Sequence, residues 1–184
     1  HSDEATVVLL PGVPRELKNI VGSSLLPHLE RLQRGASDRV WHHVIHTTGI
    51  AESRLTALVE ERLADVPDEE RIGIGLAYLP DLLGVDLRFT ASAISRDEAL
   101  VRMAPLVQSI EDVVEPYRFE SESGDLAEAV SQILRERRMT IATAESCTGG
   151  LIAKQLTGVE GASDVFAGGI VAYSNEAKVA LLGV

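Results

Sequence analysis

The chain has 184 residues, 45% of them hydrophobic, and carries a formal net charge of −11 at pH 7; its isoelectric point is near 4.9. That length holds one or two ordinary domains with a proper core, and the acidic balance repels phosphate backbones, so nucleic-acid binding is not expected. A single cysteine excludes an internal disulfide, no apolar run approaches the roughly 20 residues of a membrane span, and no signal-peptide pattern is present, so the expectation is a soluble cytoplasmic protein with no membrane partner.

Thr6 to Leu10 is a short β-rich run. Pro11-Gly12-Val13-Pro14 turns it into a helix, with Pro14 at the first helical position. Leu17, Ile20, Val21 and Leu25 continue that helix, and Pro27 is expected to break or restart it. Arg15 and Glu16 read as solvated first-turn residues. A lone strand–turn–helix cannot bury its own apolar face. Residues 1–34 are therefore expected to end a domain whose earlier part lies outside this chain.

Gln33 to Asp38 is a polar linker, and Arg39 to Thr47 alternates as a strand. His42, His43 and His46 invite a metal reading, but His43 points to the opposite face from the other two. His42 and His46 stand roughly 13 Å apart along a strand, too far to share one ion. Gly49 ends the strand. Leu55, Leu58, Val59 and Leu63 then recur at helical spacing, bounded by Pro67. Ile72 to Leu79 and Val85 to Ala93 read as strands about a turn at Pro80-Asp81. Val85, Leu87, Phe89, Ala91 and Ala93 line one face, and Arg88, Thr90 and Ser92 the other. Ser95-x-x-Glu98 is a capping box opening a helix through Met103, Ile110 and Val114, which Pro105 should kink. Strand, helix, strand, strand, helix makes residues 35–119 a small α+β domain whose order resembles a KH module. The Gly-x-x-Gly loop of such modules has no counterpart: Thr48-Gly49-Ile50-Ala51-Glu52 offers one glycine and an acid. A structural connector is the better reading.

Glu120 to Gly124 is a second polar linker, and Asp125-x-x-Glu128 a second capping box. Leu126, Val130, Ile133 and Leu134 define the face of the helix that follows, and Arg135, Arg137 and Arg138 suit its C-terminal end. Met139 to Ala142 is a short strand. It leads into Thr143-Ala144-Glu145-Ser146-Cys147-Thr148-Gly149-Gly150, then into a helix with Leu151, Ile152, Gln155 and Leu156. The turn holds a hydroxyl, a thiol, a second hydroxyl and two glycines. The first N–H groups of a helix are unpaired and electropositive, so such a turn can bind an anion or polarise a carbonyl oxygen. The plainer alternative is that Ser146 and Thr148 only cap the helix. No P-loop or dinucleotide fingerprint is present.

Val165 to Ala172 is a second strand. Tyr173-Ser174-Asn175 ends it, with Ser174 or Asn175 as N-cap of a helix running through Leu182. If the two strands are parallel neighbours, Ser146, Tyr173 and Lys178 converge at their carboxyl ends, where ligands gather in open α/β sheets. Ser–Lys is an established nucleophile–base pairing when the amine is neutral. The plain alternatives are a lysine paired to Glu176 and a strand-end packing tyrosine. Helix, strand, helix, strand, helix over residues 120–184 is the start of a three-layer α/β domain.

These motifs, with Gly161-Ala162-Ser163-Asp164, Gly168-Gly169 and Leu182-Gly183-Val184, resemble the C-terminal domain of the CinA (competence/damage-inducible) family. Pro11 to Glu16 is similar to the end of that family's molybdopterin-binding-like N-terminal domain, and residues 35–119 to its KH-like middle domain. The resemblance implies a bacterial nicotinamide mononucleotide amidohydrolase of the NAD-recycling kind. Ser146 would be its nucleophile, Lys178 its base, and Tyr173 an aid to proton transfer or orientation. Glu145, Cys147, Thr148, Gly149, Gly150 and Asn175 would bind substrate, the amides of 147–150 as oxyanion hole or phosphate cradle. It implies no metal or cofactor for this domain. For the family's N-terminal domain it implies a divalent metal and ADP-ribose pyrophosphatase activity, and most of that domain is expected to lie outside this chain. The C-terminal domain of the family continues past Val184, so an internal fragment is expected, inactive by itself and prone to form homo-oligomers. Cys147 is the rival nucleophile, handicapped because only a thiolate attacks well. A nucleotide- or partner-binding scaffold without chemistry is the alternative function.

Overall fold

In the computed structural model, which describes residues 7–32 and 39–184, Pro14 opens a long helical run. The run consists of α1 (Pro14–Ile20), a π-helical turn (Val21–Leu25) and α2 (Leu26–Leu32). The restart expected at Pro27 takes the form of that π turn. Pro27 has no N–H to give; just before it, the Leu26 N–H reaches back to Val21 O and Ser23 Oγ donates to Asn19 O at 2.7 Å. The strand expected over 6–10 does not form over its described part. Val7–Leu10 are irregular, with Val7 and Leu9 81% and 91% exposed. A strand needs a ladder partner, and none reaches them among the described residues. Thr6 and the linker at 33–38 lie outside those residues.

Next comes a four-stranded antiparallel sheet: β1 (Arg39–Thr48), β2 (Ile74–Pro80), β3 (Gly84–Ala93) and β4 (Arg118–Phe119), in the order β2-β3-β1-β4. Helices α3 (Glu52–Leu63) and α5 (Arg96–Val114) pack on it, and a short α4 (Asp68–Arg71) follows Pro67. The alternation of β3 decides the core. Val85, Leu87, Phe89, Ala91 and Ala93 are all buried, against Leu55, Val59 and Leu63 of α3 and Ala99, Met103, Leu106, Ile110 and Val114 of α5. Register pairs Ile45 with Leu87, His43 with Phe89 and Trp41 with Ala91, which puts His43 on the core face and His42 and His46 on the other. Trp41 Nε1 donates to Ala93 O at 3.2 Å, and buried Thr47 donates its hydroxyl to Val85 O at 2.6 Å. At the hairpin, Asp81 Oδ1 accepts the N–H groups of Leu83 and Gly84 at 2.7 and 2.8 Å. Helix α5 continues through Pro105, and Ser95 Oγ accepts the Glu98 N–H at 3.2 Å.

The linker after β4 is held at His46. Its Nδ1 lies 2.8 Å from Asp86 Oδ1 and its ring 5.6 Å from that of Phe119, and a Cβ on Gly124 would fall 2.6 Å from its Cε1. Helix α6 (Leu126–Glu136) then begins, with Asp125 Oδ1 accepting the Ala127 N–H at 2.7 Å. Glu128 does not close the expected box on Asp125. It accepts the Ser123 N–H at 3.1 Å and the Ser123 hydroxyl at 2.5 Å. The buried positions of α6 also differ from the expected Leu126/Val130/Ile133/Leu134 face: they are Ala127, Ala129 and Ser131, with Ile133 exposed. Beyond α6, β5 (Ile141–Glu145) and β6 (Phe166–Val171) form a two-stranded parallel sheet, linked through α7 (Leu151–Thr157) and followed by α8 (Asn175–Leu182). Two strands offer too little apolar surface to cover the larger side chains of α6. The chain is thus an α+β unit followed by an α/β layer, and among the described residues no helix is long and apolar enough to cross a membrane.

Candidate active site at the β5 and β6 carboxyl ends

The last residues of the two parallel strands, Glu145 and Val171, are register partners. The Ala172 N–H extends the pairing, donating to Glu145 O at 2.8 Å. Ser146 and Tyr173 therefore leave the sheet on the same rim. Ser174 Oγ accepts the Ala177 N–H at 3.1 Å, which makes Ser174, not Asn175, the N-cap of α8. The Lys178 N–H donates to Ser174 O at 3.0 Å, so Lys178 stands one turn into the helix. Ser146 and Lys178 are half-buried, whereas Tyr173 and Asn175 are exposed. Ser146 and Tyr173 follow the paired ends of β5 and β6, and Lys178 lies one turn into the helix after β6; no side-chain hydrogen bond joins the three among the described residues. No ion pair engages Lys178 among those residues either. Glu176, its expected partner, is held below the ordinary carboxylate range by its own backbone N–H and the Ser174 side chain.

The turn itself differs from the sequence picture in one respect. Gly149 and Gly150 adopt φ of 61° and 91°, a region that favours glycine. The Gly149 N–H donates to Ser146 O at 3.1 Å, and the Leu151 N–H to Thr148 O at 3.0 Å. Neither Ser146 nor Thr148 is the N-cap of α7; Gly150 occupies that position and has no side chain to offer. The cap comes from the end of β5. Glu145 is only 3% exposed, and its carboxylate accepts the Ile152 N–H at 3.0 Å and the Ala153 N–H at 2.8 Å. Burial opposes its charge, but the Ala153 amide, the Thr148 hydroxyl and the amides of Ile152 and Gly150 outweigh it and hold the carboxyl below its usual range. The first turn of α7 is thus already occupied by an internal anion. Of the amides expected to polarise a carbonyl, those of Cys147 and Thr148 have no backbone acceptor among the described residues. Cys147 is a free, exposed thiol.

Sequence reasoning placed Glu145 with the substrate-binding residues and missed this capping role. A signal was there, a lone acid closing an apolar strand directly ahead of a glycine-rich helix entry. Behind the rim, Thr143 pairs with Gly169, and a Cβ at 169 would lie 2.6 Å from Thr143 Oγ1.

A cavity of about 1340 Å³ lies elsewhere, between α5, the β4 segment and α6. Glu111, Glu115, Glu120, Glu122 and Glu136 line it, so it repels a phosphate-bearing ligand. Among the described residues, no group of three His, Cys, Asp or Glu side chains could hold a metal ion.

Comparison with known proteins matches residues 123–184 to the family model for the CinA C-terminal domain, and residues 42–119 to that for the damage-inducible protein CinA KH domain. A CinA-like protein of Chlorobium phaeobacteroides (strain BS1) is 39% identical over 178 residues, which is 97% of this chain and 41% of that protein. A CinA-like protein of Salinibacter ruber is 40% identical over 182 residues, 99% of this chain and 42% of its own length. A putative competence-damage inducible protein of Symbiobacterium thermophilum is 37% identical over 181 residues, 98% of this chain and 41% of its own. The chain therefore spans about two fifths of the length of these relatives. The crystal structure of competence/damage inducible protein CihA from Agrobacterium tumefaciens shares 42% identity over 36% of this chain and 40% of that one, with a TM-score of 0.33.

Proposed function

The chain belongs to the CinA family, and from that premise we propose that its α/β unit carries an amidohydrolase site acting on nicotinamide mononucleotide. The observation that supports this most is the parallel β5–β6 pair, whose carboxyl ends share a rim with Ser146, Tyr173 and Lys178. In this reading Ser146 Oγ attacks the carboxamide carbon while Lys178 Nζ, as general base, takes the hydroxyl proton. The amides of Cys147 and Thr148 face the oxygen on which charge develops. The lysine then passes its proton to the leaving nitrogen, and ammonia departs. Water, deprotonated by the same amine, splits the acyl-serine ester. Nicotinate mononucleotide leaves, Ser146 regains its proton, and one amide and one water have become one acid and one ammonia. Tyr173 Oη, beside this path, orients or relays the proton, and Asn175 at the entry of α8 is a contact for the substrate.

Lys178 supports the base role because no carboxylate pairs with it among the described residues, leaving its amine available. Ammonia release from nicotinamide mononucleotide tests the proposal, in a protein carrying this chain at the length of its relatives. Ser146→Ala is expected to lower kcat by roughly 1000-fold or more, while Cys147→Ala retains most of it. Normal turnover by the serine variant would remove the nucleophile assignment. No ammonia from the unaltered protein would leave the scaffold reading in its place.

A further inference from the structure

We propose that Glu145 is the positioning residue of this site, its buried carboxylate pinning the first turn of α7 to the end of β5 and thereby fixing the backbone of Ser146, Cys147 and Thr148. The catalytic consequence rests on the reading of Ser146 as nucleophile; the geometric claim does not.

Glu145 is tied through both its backbone and its side chain. Its carbonyl accepts the Ala172 N–H at 2.8 Å, which joins it to the chain leaving β6. Its carboxylate accepts two α7 amides, at 3.0 and 2.8 Å. One residue therefore joins β5, β6 and α7 immediately before the nucleophile. The segment it spans has little else to hold it. Cys147, Thr148 and Gly149 are exposed, two successive glycines have left-handed φ, and the internal ties are the two turn hydrogen bonds already described. An untethered segment of that kind samples many conformations, and a displacement of about 1 Å between nucleophile and carbonyl costs on the order of 100-fold in rate.

The same carboxylate decides what the turn can bind. It satisfies the Ile152 and Ala153 donors, so a substrate phosphate does not seat on the axis of α7. The amides left for a ligand are those of Cys147 and Thr148, beside the serine. The turn is thereby directed to a carbonyl oxygen. The full negative charge on Glu145 fits this role, since its neighbours favour the ionised form.

The test pairs spectroscopy on the chain itself with kinetics in the relative-length protein. In the unaltered chain, the Ile152 and Ala153 amide proton resonances should shift together on acidification, with a midpoint below the ordinary carboxylate range. Glu145→Gln should abolish that shift, displace the backbone resonances of Ser146 to Thr148, and lower kcat by roughly 10- to 100-fold with KM little changed. Glu145→Ala supplies the second arm. Added formate should re-occupy the vacated amides and restore part of kcat, a rescue that general loosening of the fold does not give. Ile152 and Ala153 resonances that ignore pH in the unaltered chain overturn the geometry. A Gln variant with unchanged kcat overturns the positioning role. If the unaltered protein releases no ammonia, the nucleophile reading fails separately. The Ser146–Thr148 resonances then decide: displaced in the Gln variant, they support the proposal, and unmoved, they overturn it.

Discussion

Gly169 is required for space. A Cβ there would meet Thr143 Oγ1 at 2.6 Å, Ala153 Cβ at 3.3 Å and Phe166 Cζ at 3.4 Å. Gly169→Ala should therefore cost about 1–3 kcal/mol by overpacking, and the double variant with Thr143→Ala should recover most of it, as read from urea midpoints. The Thr143 hydroxyl makes this exchange favourable, since it is buried and has no hydrogen-bond partner among the described residues. Ser146 and Tyr173 were legible in the sequence as candidates for one rim, because each falls just beyond a strand end and strand ends show in the apolar pattern; Lys178 was legible from its place in the first turns of the helix that follows. The tie from Glu145 was signalled only by an acid closing the strand, and its amide partners were not legible. It bridges to Ile152 and Ala153 across a turn whose shape is set by two left-handed glycines, whereas capping rules look only at the residue next to the helix.

Among the elements, β3 shows most directly how sequence becomes structure. Its five alternating apolar residues are all buried, since a period of two sends them to the side where α3 and α5 lie. Phe89 is fully buried at the centre of that face, and Phe89→Ala should lower stability by about 3–5 kcal/mol, measured by urea unfolding followed through tryptophan fluorescence. Ser95→Ala removes the acceptor for the Glu98 N–H at the start of α5; about 1 kcal/mol should be lost in the same assay. Two element readings missed for a common reason. The run at 6–10 has β-type residues, and α6 has a leucine-rich face, but whether such a segment pairs or buries depends on neighbours that its own residues do not specify. The π turn ahead of Pro27 is likewise a local compromise. The proline was visible, while the widened turn that accommodates it belongs to backbone geometry.

At the scale of the whole molecule, acid acts on His43 in a definite direction. Burial, and after it the charges of Arg118 and Arg96, push its pKa below the ordinary 6.5. The unfolded chain then takes up the proton first, so stability falls as pH drops below about 6.5 and continues to fall until the folded-state value is passed. His43→Gln should remove that part of the slope, visible as a pH-dependent difference in Tm between the two proteins. The parallel sheet adds a second expectation. Among the described residues β5 and β6 pair only with each other, and Ile170, Val171 and Tyr173 are exposed beside the open edge of β6. Unpaired edges and apolar side chains of this kind favour association, so light scattering should return a mass above the 19.8 kDa of one chain. The two units also differ optically. The chain has one tryptophan, and Trp41 sits half-buried in β1 with its indole N–H on Ala93 O. Its emission therefore reports the melting of the antiparallel sheet alone, while far-ultraviolet circular dichroism also counts α6, α7 and α8. Superimposable curves from the two probes would mean that the units melt as one. A dichroic change that precedes the loss of indole emission would mean that the half bearing Ser146 opens first, in the dark to the fluorimeter.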